Sequence, residues 1–109
     1  MSEIEKQQQE TNKKQKEANL NFTKLADVFI AQANKECDKA DHQLVNAALL
    51  YASARFSAFI TASMSESKEN FESSVDSAVE FYSEEFIKML KEHMKQYGYV
   101  LEKELKKDA

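Results

Sequence analysis

The sequence contains a single glycine, Gly98, and no proline among its 109 residues. Tight turns between β-strands are built mainly from Gly, Pro, Asn and Asp, and nucleotide-binding folds need glycine where the backbone approaches a phosphate. A chain with so few of these residues lacks the turns of a sandwich or a barrel, so we expect an all-α fold. The length suits one domain with one modest core.

The least polar segment is LVNAALLYASARFSAFITASM, residues 44–64, in which Arg55 is the only charged residue. On a helix with about 100° per residue, one side carries bulky side chains. The opposite side is mostly alanine and also holds Tyr51 and Arg55. We expect this segment to be a buried central helix, because it has little polar surface. The bulky residues are Val45, Leu49, Phe56, Phe59 and Ile60.

A membrane-spanning helix is the alternative for this segment, because about 20 apolar residues can cross a bilayer. At mid-span Arg55 would cost ~2.5–3.5 kcal/mol on the insertion scale. Asn46, Thr61 and three serines dilute the apolar run, and its ends lack the aromatic and basic flanks typical of membrane helices. The sequence therefore favours a buried helix, and we expect no membrane association.

A first helix is predicted over about residues 20–38, because apolar side chains recur there on one side with helical periodicity. Beyond Met1, residues 1–18 have only Ile4 and Ala18 as apolar positions. We therefore predict a polar, flexible tail over residues 1–18 and a single helical domain over residues 19–109. The apolar stripe of the first helix consists of Phe22, Leu25, Ala26, Phe29, Ile30, Ala33 and Cys37.

Polar residues mark the starts of the other two helices. Asp41 is well placed to cap the second helix, and the third is predicted to begin near Ser67. The apolar stripe of the third helix continues past Gly98, so the helix would be ~60 Å long, against ~30 Å for each of the others. Either the helix breaks at Gly98 or another subunit covers the overhang. The sequence thus predicts a three-helix antiparallel bundle completed by homo-oligomerisation, with a dimer favoured.

Arg55 is the residue that most needs an ion-pair partner in a buried helix, because an unpaired buried guanidinium costs several kcal/mol. One interpretation, which we favour, is an ion pair that fixes helix register. The other is an anion clamp to which Tyr51, one turn earlier, contributes. His93 lies in the apolar stripe of the third helix, where a lone histidine is usually a core or rim residue. Arg55, Tyr51 and His93 form the candidate ligand or register site, and the candidate ion-pair partners are Asp27, Glu36, Glu84 and Glu85.

Motifs for catalysis and metal binding are missing from the sequence. One glycine near the C-terminal end cannot form a phosphate loop, and no Glu-x-x-His or Cys-x-x-Cys spacing occurs. Cys37, Asp38 and His42 are neighbours, but they fall at a predicted link, so a metal site is not favoured. An enzyme would need His93 and Arg55 to converge with a carboxylate. We expect no enzyme activity, no catalytic residue, no cofactor and no metal.

Charge and cysteine content indicate the cellular setting. The formal net charge of −4 does not favour binding to nucleic acid. The single cysteine cannot form an intramolecular disulfide, which fits a reducing compartment. The N-terminal residues MSEIEKQQQE lack the apolar segment of a secretory signal. We therefore expect a cytoplasmic protein with no nucleic-acid partner.

Three segments resemble a known family: LADVFIAQANKE from Leu25, VNAALLYASARFSAFITAS from Val45 and AVEFYSEEFIKMLKEHMKQY from Ala78. Together they look like the bacterial domain-of-unknown-function family 3144, most specifically over residues 50–59. Ser53 and Ser57 depart from the alanine and asparagine expected at these positions. The resemblance implies a compact helical protein of bacteria, and it implies no substrate, cofactor or catalytic residue.

The functional prediction is a non-enzymatic helical interaction module. It would act as a homo-oligomer that scaffolds or regulates another, unidentified protein, because the apolar surface exceeds what three helices can bury among themselves. The alternative is binding of a small anion or another small ligand in a helix-lined pocket around Arg55 and Tyr51.

Overall fold

In the computed structural model, which describes residues 2–108, the chain forms three α-helices. Helix α1 spans Glu3–Glu36, α2 spans His42–Ser63 and α3 spans Lys68–Asp108. No strand occurs within residues 2–108, so the predicted all-α fold class is confirmed. The antiparallel bundle and its completion by a second subunit stay predictions.

Helix α1 begins at Glu3 rather than near Leu20. The Glu5 backbone N–H donates to the Ser2 hydroxyl oxygen at 3.3 Å, and Ser2 with Glu5 has the spacing of a capping box. Glu, Lys and Gln are good helix formers, and residues 2–18 contain no Gly. Residues 3–18, predicted as part of a polar, flexible tail, lie in this helix; the division of the chain into a flexible tail and a single helical domain stays a prediction. Apolar periodicity missed this part of the helix because it buries no face.

The predicted cap of α2 and the predicted start of α3 near Ser67 are confirmed. The Gln43 backbone N–H donates to an Asp41 carboxylate oxygen at 3.0 Å, and the Val45 N–H donates to the Asp41 carbonyl at 3.0 Å. The Asn70 N–H donates to the Ser67 hydroxyl oxygen at 3.1 Å. These side chains satisfy backbone donors that have no partner in the first turn of a helix. The links between the helices are short and comprise residues 37–41 and 64–67.

Helix α3 continues through Gly98 without a break, and no residue in the described part of the chain has a positive φ. The predicted alternative that α3 breaks at Gly98 is therefore wrong. The other alternative, that another subunit covers the part of α3 that extends beyond the shorter helices, stays a prediction. One glycine costs a helix only about 1 kcal/mol relative to alanine, and strong helix formers surround it on both sides. Over its 41 residues the helix reaches about 60 Å in length.

The chain divides into two units, Met1–Arg55 and Phe56–Ala109. No described residue is buried in either unit, and the half-buried ones lie mostly beside the links. In the first unit they are Ala33, Glu36, Cys37, Ala40 and Val45. In the second they are Ser57, Ile60, Thr61, Ser65, Phe71, Ser74, Ala78 and Glu85.

The bulky side of α2 departs in part from the prediction of a buried core face: Val45 and Ile60 are half-buried, whereas the other three residues are exposed. Phe56 is 64% exposed and Phe59 is 62% exposed, and their ring centroids lie 6.1 Å apart. The side of α2 that is half-buried in the second unit carries Ser57, Ile60 and Thr61 instead. Small side chains let two helices approach closely, whereas the phenylalanine rings have no partner element in this unit to cover them.

Candidate functional site

Helix α2 places Tyr51 and Arg55 one turn apart on the same side, as their spacing predicts. Both side chains are exposed, Tyr51 by 70%. Among the described residues Arg55 has no hydrogen-bond or ion-pair partner, so no pair forms with Asp27 or Glu36 of the same unit. An exposed guanidinium is solvated by water and needs no such partner. The role of Arg55 and Tyr51 as ligand or register residues stays a prediction.

His93 lies in the second unit, on an exposed part of α3. Tyr51 and Arg55 belong to the first unit. The structure therefore brings two of the three candidate residues together on one helix, and the third belongs to a different unit. Glu84 and Glu85, two of the proposed carboxylate partners, also belong to the second unit.

The cysteine and its polar neighbours lie at the end of α1. The Cys37 backbone N–H donates to the Ala33 carbonyl at 3.1 Å, and the Asp38 N–H donates to the Lys35 carbonyl at 3.2 Å. Cys37 is half-buried and has a free thiol. Within the described residues, no three His, Cys, Asp or Glu side chains are grouped as metal ligands.

An open groove that the sequence reasoning missed lies in the second unit, between the last turns of α2 and the first half of α3. Its serine and threonine hydroxyl groups donate to backbone carbonyls nearby in the chain: Thr61 donates to the Ser57 carbonyl at 2.9 Å, and Ser74 donates to the Phe71 carbonyl at 2.8 Å. The groove therefore offers mainly apolar surface. The run of small residues at Ser74, Ser77 and Ala78 is the sequence signal that could have indicated it; the other lining residues are Ile60, Met64, Ser65, Phe81 and Tyr82.

Helix α2 is long and apolar enough to cross a membrane by length and composition alone. It has 22 residues, and its most apolar 18-residue window has a mean hydropathy of 1.3. Core helices of soluble proteins reach the same values. The length and composition of α2 therefore do not distinguish a membrane-spanning helix from a buried helix of a soluble protein.

A family model described as "Protein of unknown function (DUF3144)" matches residues 22–98. The chain belongs to this family. The resemblance found in the sequence is thereby confirmed, and the match covers the second half of α1, all of α2 and most of α3. Neither a curated protein nor a solved structure matches this DUF3144 chain.

Aromatic side chains dominate the exposed surface of the DUF3144 chain. Of its seven phenylalanines and four tyrosines, all but the half-buried Phe71 are exposed. They occur on all three helices and in both units. Exposed aromatic rings in this number are typical of a surface that another polypeptide covers. They are Phe22, Phe29, Tyr51, Phe56, Phe59, Phe81, Tyr82, Phe86, Tyr97 and Tyr99.

Proposed function

We propose that this DUF3144 protein is a non-enzymatic helical interaction module of the bacterial cytoplasm. It works as a homo-oligomer, with a dimer favoured, and it scaffolds or regulates another protein. One observation carries the proposal: no described residue is buried, although 42% of the chain is hydrophobic. A folded chain without a buried residue lacks the main source of its own stability.

The area of exposed aromatic surface is large enough for a specific interface. An aromatic side chain buries about 150–250 Å² when fully covered. The ten exposed rings are between 39% and 70% exposed, so together they present roughly 1,000 Å². A typical specific interface covers about 800 Å² on each partner. Summed over both units, the exposed aromatic side chains are therefore comparable in area to one side of a specific interface.

Helix α2 supports the same proposal from its composition. The helix carries apolar side chains on nearly all sides, and most of them are exposed. A soluble helix of this kind needs cover on most of its circumference. A second copy is the most economical source of that cover, because it is present wherever the chain itself is present.

The test is the mass of the untagged protein, measured by native mass spectrometry and by sedimentation equilibrium between about 1 and 100 μM. We expect a discrete multiple of the 12.5 kDa chain, recovered in the soluble fraction of the cell. A monomer throughout this range would contradict the proposal. Recovery only with the membrane fraction, followed by release in detergent, would contradict it and would support a membrane role for α2.

A second candidate function is binding of a small anion by Arg55 with Tyr51. The observation that favours it is the availability of the guanidinium, which has no partner among the described residues and lies one turn from a tyrosine. Titration calorimetry with inorganic phosphate tests it, with Arg55→Met as the variant and Lys35→Met as the control in the same unit. Binding that only Arg55→Met removes supports the candidate. Absence of binding to the unmodified protein at millimolar phosphate contradicts it.

A further inference from the structure

The C-terminal part of α3 has a heptad pattern whose frame does not extend into the first part of the helix. Its apolar residues are spaced alternately by three and four positions, which is the spacing of the packed positions of a coiled coil. The residues are Ile87, Leu90, Met94, Tyr97 and Leu101, and we refer to them as the C-terminal seam. At the corresponding positions of the preceding two turns stand Glu80 and Ser83. The seam therefore begins at Ile87.

The C-terminal seam is exposed within its own unit. Met94 is 65% exposed and Tyr97 is 68% exposed. The half-buried residues of α3, which include Ser74 and Ala78, lie on the side of the helix about 150° away from the seam, at about 100° per residue. Helix α2 has 22 residues and α3 has 41, so α2 cannot line the whole of α3 in any arrangement. Within the second unit, the seam therefore lacks a partner.

We propose that the C-terminal seam pairs with the same seam of a second copy of the chain, in antiparallel orientation. This inference rests on the proposed function, and it names the surface through which the homo-oligomer forms. In the antiparallel register, Leu90 of each chain packs against Leu101 of the other. At the centre of the pairing, Met94 packs against Tyr97 on both sides of a two-fold axis. An interface of this kind is closed and self-complementary.

The charge at the end of the seam selects the antiparallel orientation. Glu104 occupies the next heptad position after Leu101. A parallel pairing would place it directly against Glu104 of the other chain, and like charges facing each other destabilise a pairing. An antiparallel pairing places it instead opposite Ile87 of the other chain, one turn from Lys91 of that chain, which flanks the seam. In coiled coils, opposite charges at the edges of the helix pair set the orientation of the two helices.

The area agrees with a dimer interface. Phe86, Val100 and Leu105 flank the seam and are exposed, so eight apolar side chains take part. Each is exposed by between 41% and 70%, which amounts to roughly 600 Å² per chain for side chains of this size. That area lies at the lower end of the range for specific interfaces, about 600–1,000 Å² per partner.

Disulfide cross-linking tests the pairing and its orientation in the full chain with Cys37→Ser. Leu90→Cys and Leu101→Cys are made as separate variants, and Tyr99→Cys, on the other side of α3, serves as the control. We expect the Leu90→Cys and Leu101→Cys chains to cross-link to each other when mixed and oxidised. Each variant alone should stay largely monomeric on a non-reducing gel, as should Tyr99→Cys. A disulfide needs Cα atoms within about 7 Å of each other. The antiparallel register brings Leu90 close to Leu101 of the other chain, but it does not bring either residue close to its own copy.

Three outcomes would overturn the inference. Efficient cross-linking of Leu90→Cys with itself would show a parallel pairing. No cross-link in any mixture, with an unmodified protein that is dimeric by sedimentation, would show that the dimer forms elsewhere; the proposed function would then survive without the seam. An unmodified protein that is monomeric would end both proposals.

A charge exchange gives an independent readout that does not depend on cysteine chemistry. In the antiparallel pairing, Glu104→Lys places a lysine near Lys91 of the other chain, so we expect its dissociation constant to rise about tenfold. Combining Glu104→Lys with Lys91→Glu should restore the dimer to within about threefold of the unmodified chain. If the double variant dissociates as readily as the single one, the orientation is wrong. Circular dichroism confirms in each case that the helices are retained.

Discussion

Leu101→Ala is the substitution whose effect the structure defines best. The Leu101 side chain is 59% exposed in the single chain, and Tyr99, on the other side of the same helix, is 57% exposed. Full burial of a leucine is worth about 1.5–3 kcal/mol, so covering the exposed part is worth about 1–2 kcal/mol per side chain. Each dimer contains two copies. The substitution should therefore cost the association about 2–4 kcal/mol, which raises the dissociation constant roughly 30- to 1,000-fold.

The measurement is sedimentation equilibrium of Leu101→Ala, of Tyr99→Ala and of the unmodified chain, each over a hundredfold range of concentration. Tyr99→Ala removes a larger side chain of almost equal exposure, yet it should change the dissociation constant by less than about threefold, because it lies off the C-terminal seam. Far-ultraviolet circular dichroism checks that both variants keep their helices. The reasoning fails if the two variants weaken the dimer equally, or if neither does.

Three further substitutions test other parts of the fold by urea unfolding at one fixed protein concentration. Gly98→Ala should raise the free energy of unfolding by about 0.5–1 kcal/mol, because an added Cβ would meet no atom within 4 Å; a loss would indicate a close contact at that position. Asp41→Ala should cost about 0.5–2 kcal/mol through loss of the cap to Gln43, and an unchanged midpoint would contradict the cap. Phe56→Ala should lower the free energy of unfolding of the dilute monomer by only about 1–2 kcal/mol, because the ring is largely exposed and its close ring contact is Phe59. A loss above about 3 kcal/mol would contradict the exposed position of the ring.

Local chemistry made several parts of the fold predictable from the sequence. Asp41 and Ser67 mark where α2 and α3 begin, because a cap depends on a few neighbouring atoms. The start of α1 was missed because residues 3–18 form a helix by propensity, without an apolar stripe. Gly98 left two alternatives open, since the cost of one glycine is too small to decide whether a long helix breaks.

Burial was harder to predict, because it depends on which surfaces meet. The periodicity of α2 indicates a bulky side and a small side, but it does not say which of them a neighbouring helix covers. In the second unit the Ser57 and Thr61 side is half-buried, and Phe56 is left exposed. The same limit applies to Arg55, whose need for an ion pair follows only if the residue is buried. Arg55, Tyr51 and His93 stay candidate residues, since the functional role of each depends on a ligand or partner.

The short links between the helices have a consequence for how fast the protein folds. With links over residues 37–41 and 64–67, the half-buried side chains of each unit meet partners close to them in sequence. Proteins dominated by such local contacts fold in microseconds to milliseconds. Pairing of two chains is bimolecular and is limited by how often they collide. Refolding after dilution from urea should therefore show a fast phase independent of protein concentration and a slower phase whose rate rises in proportion to it.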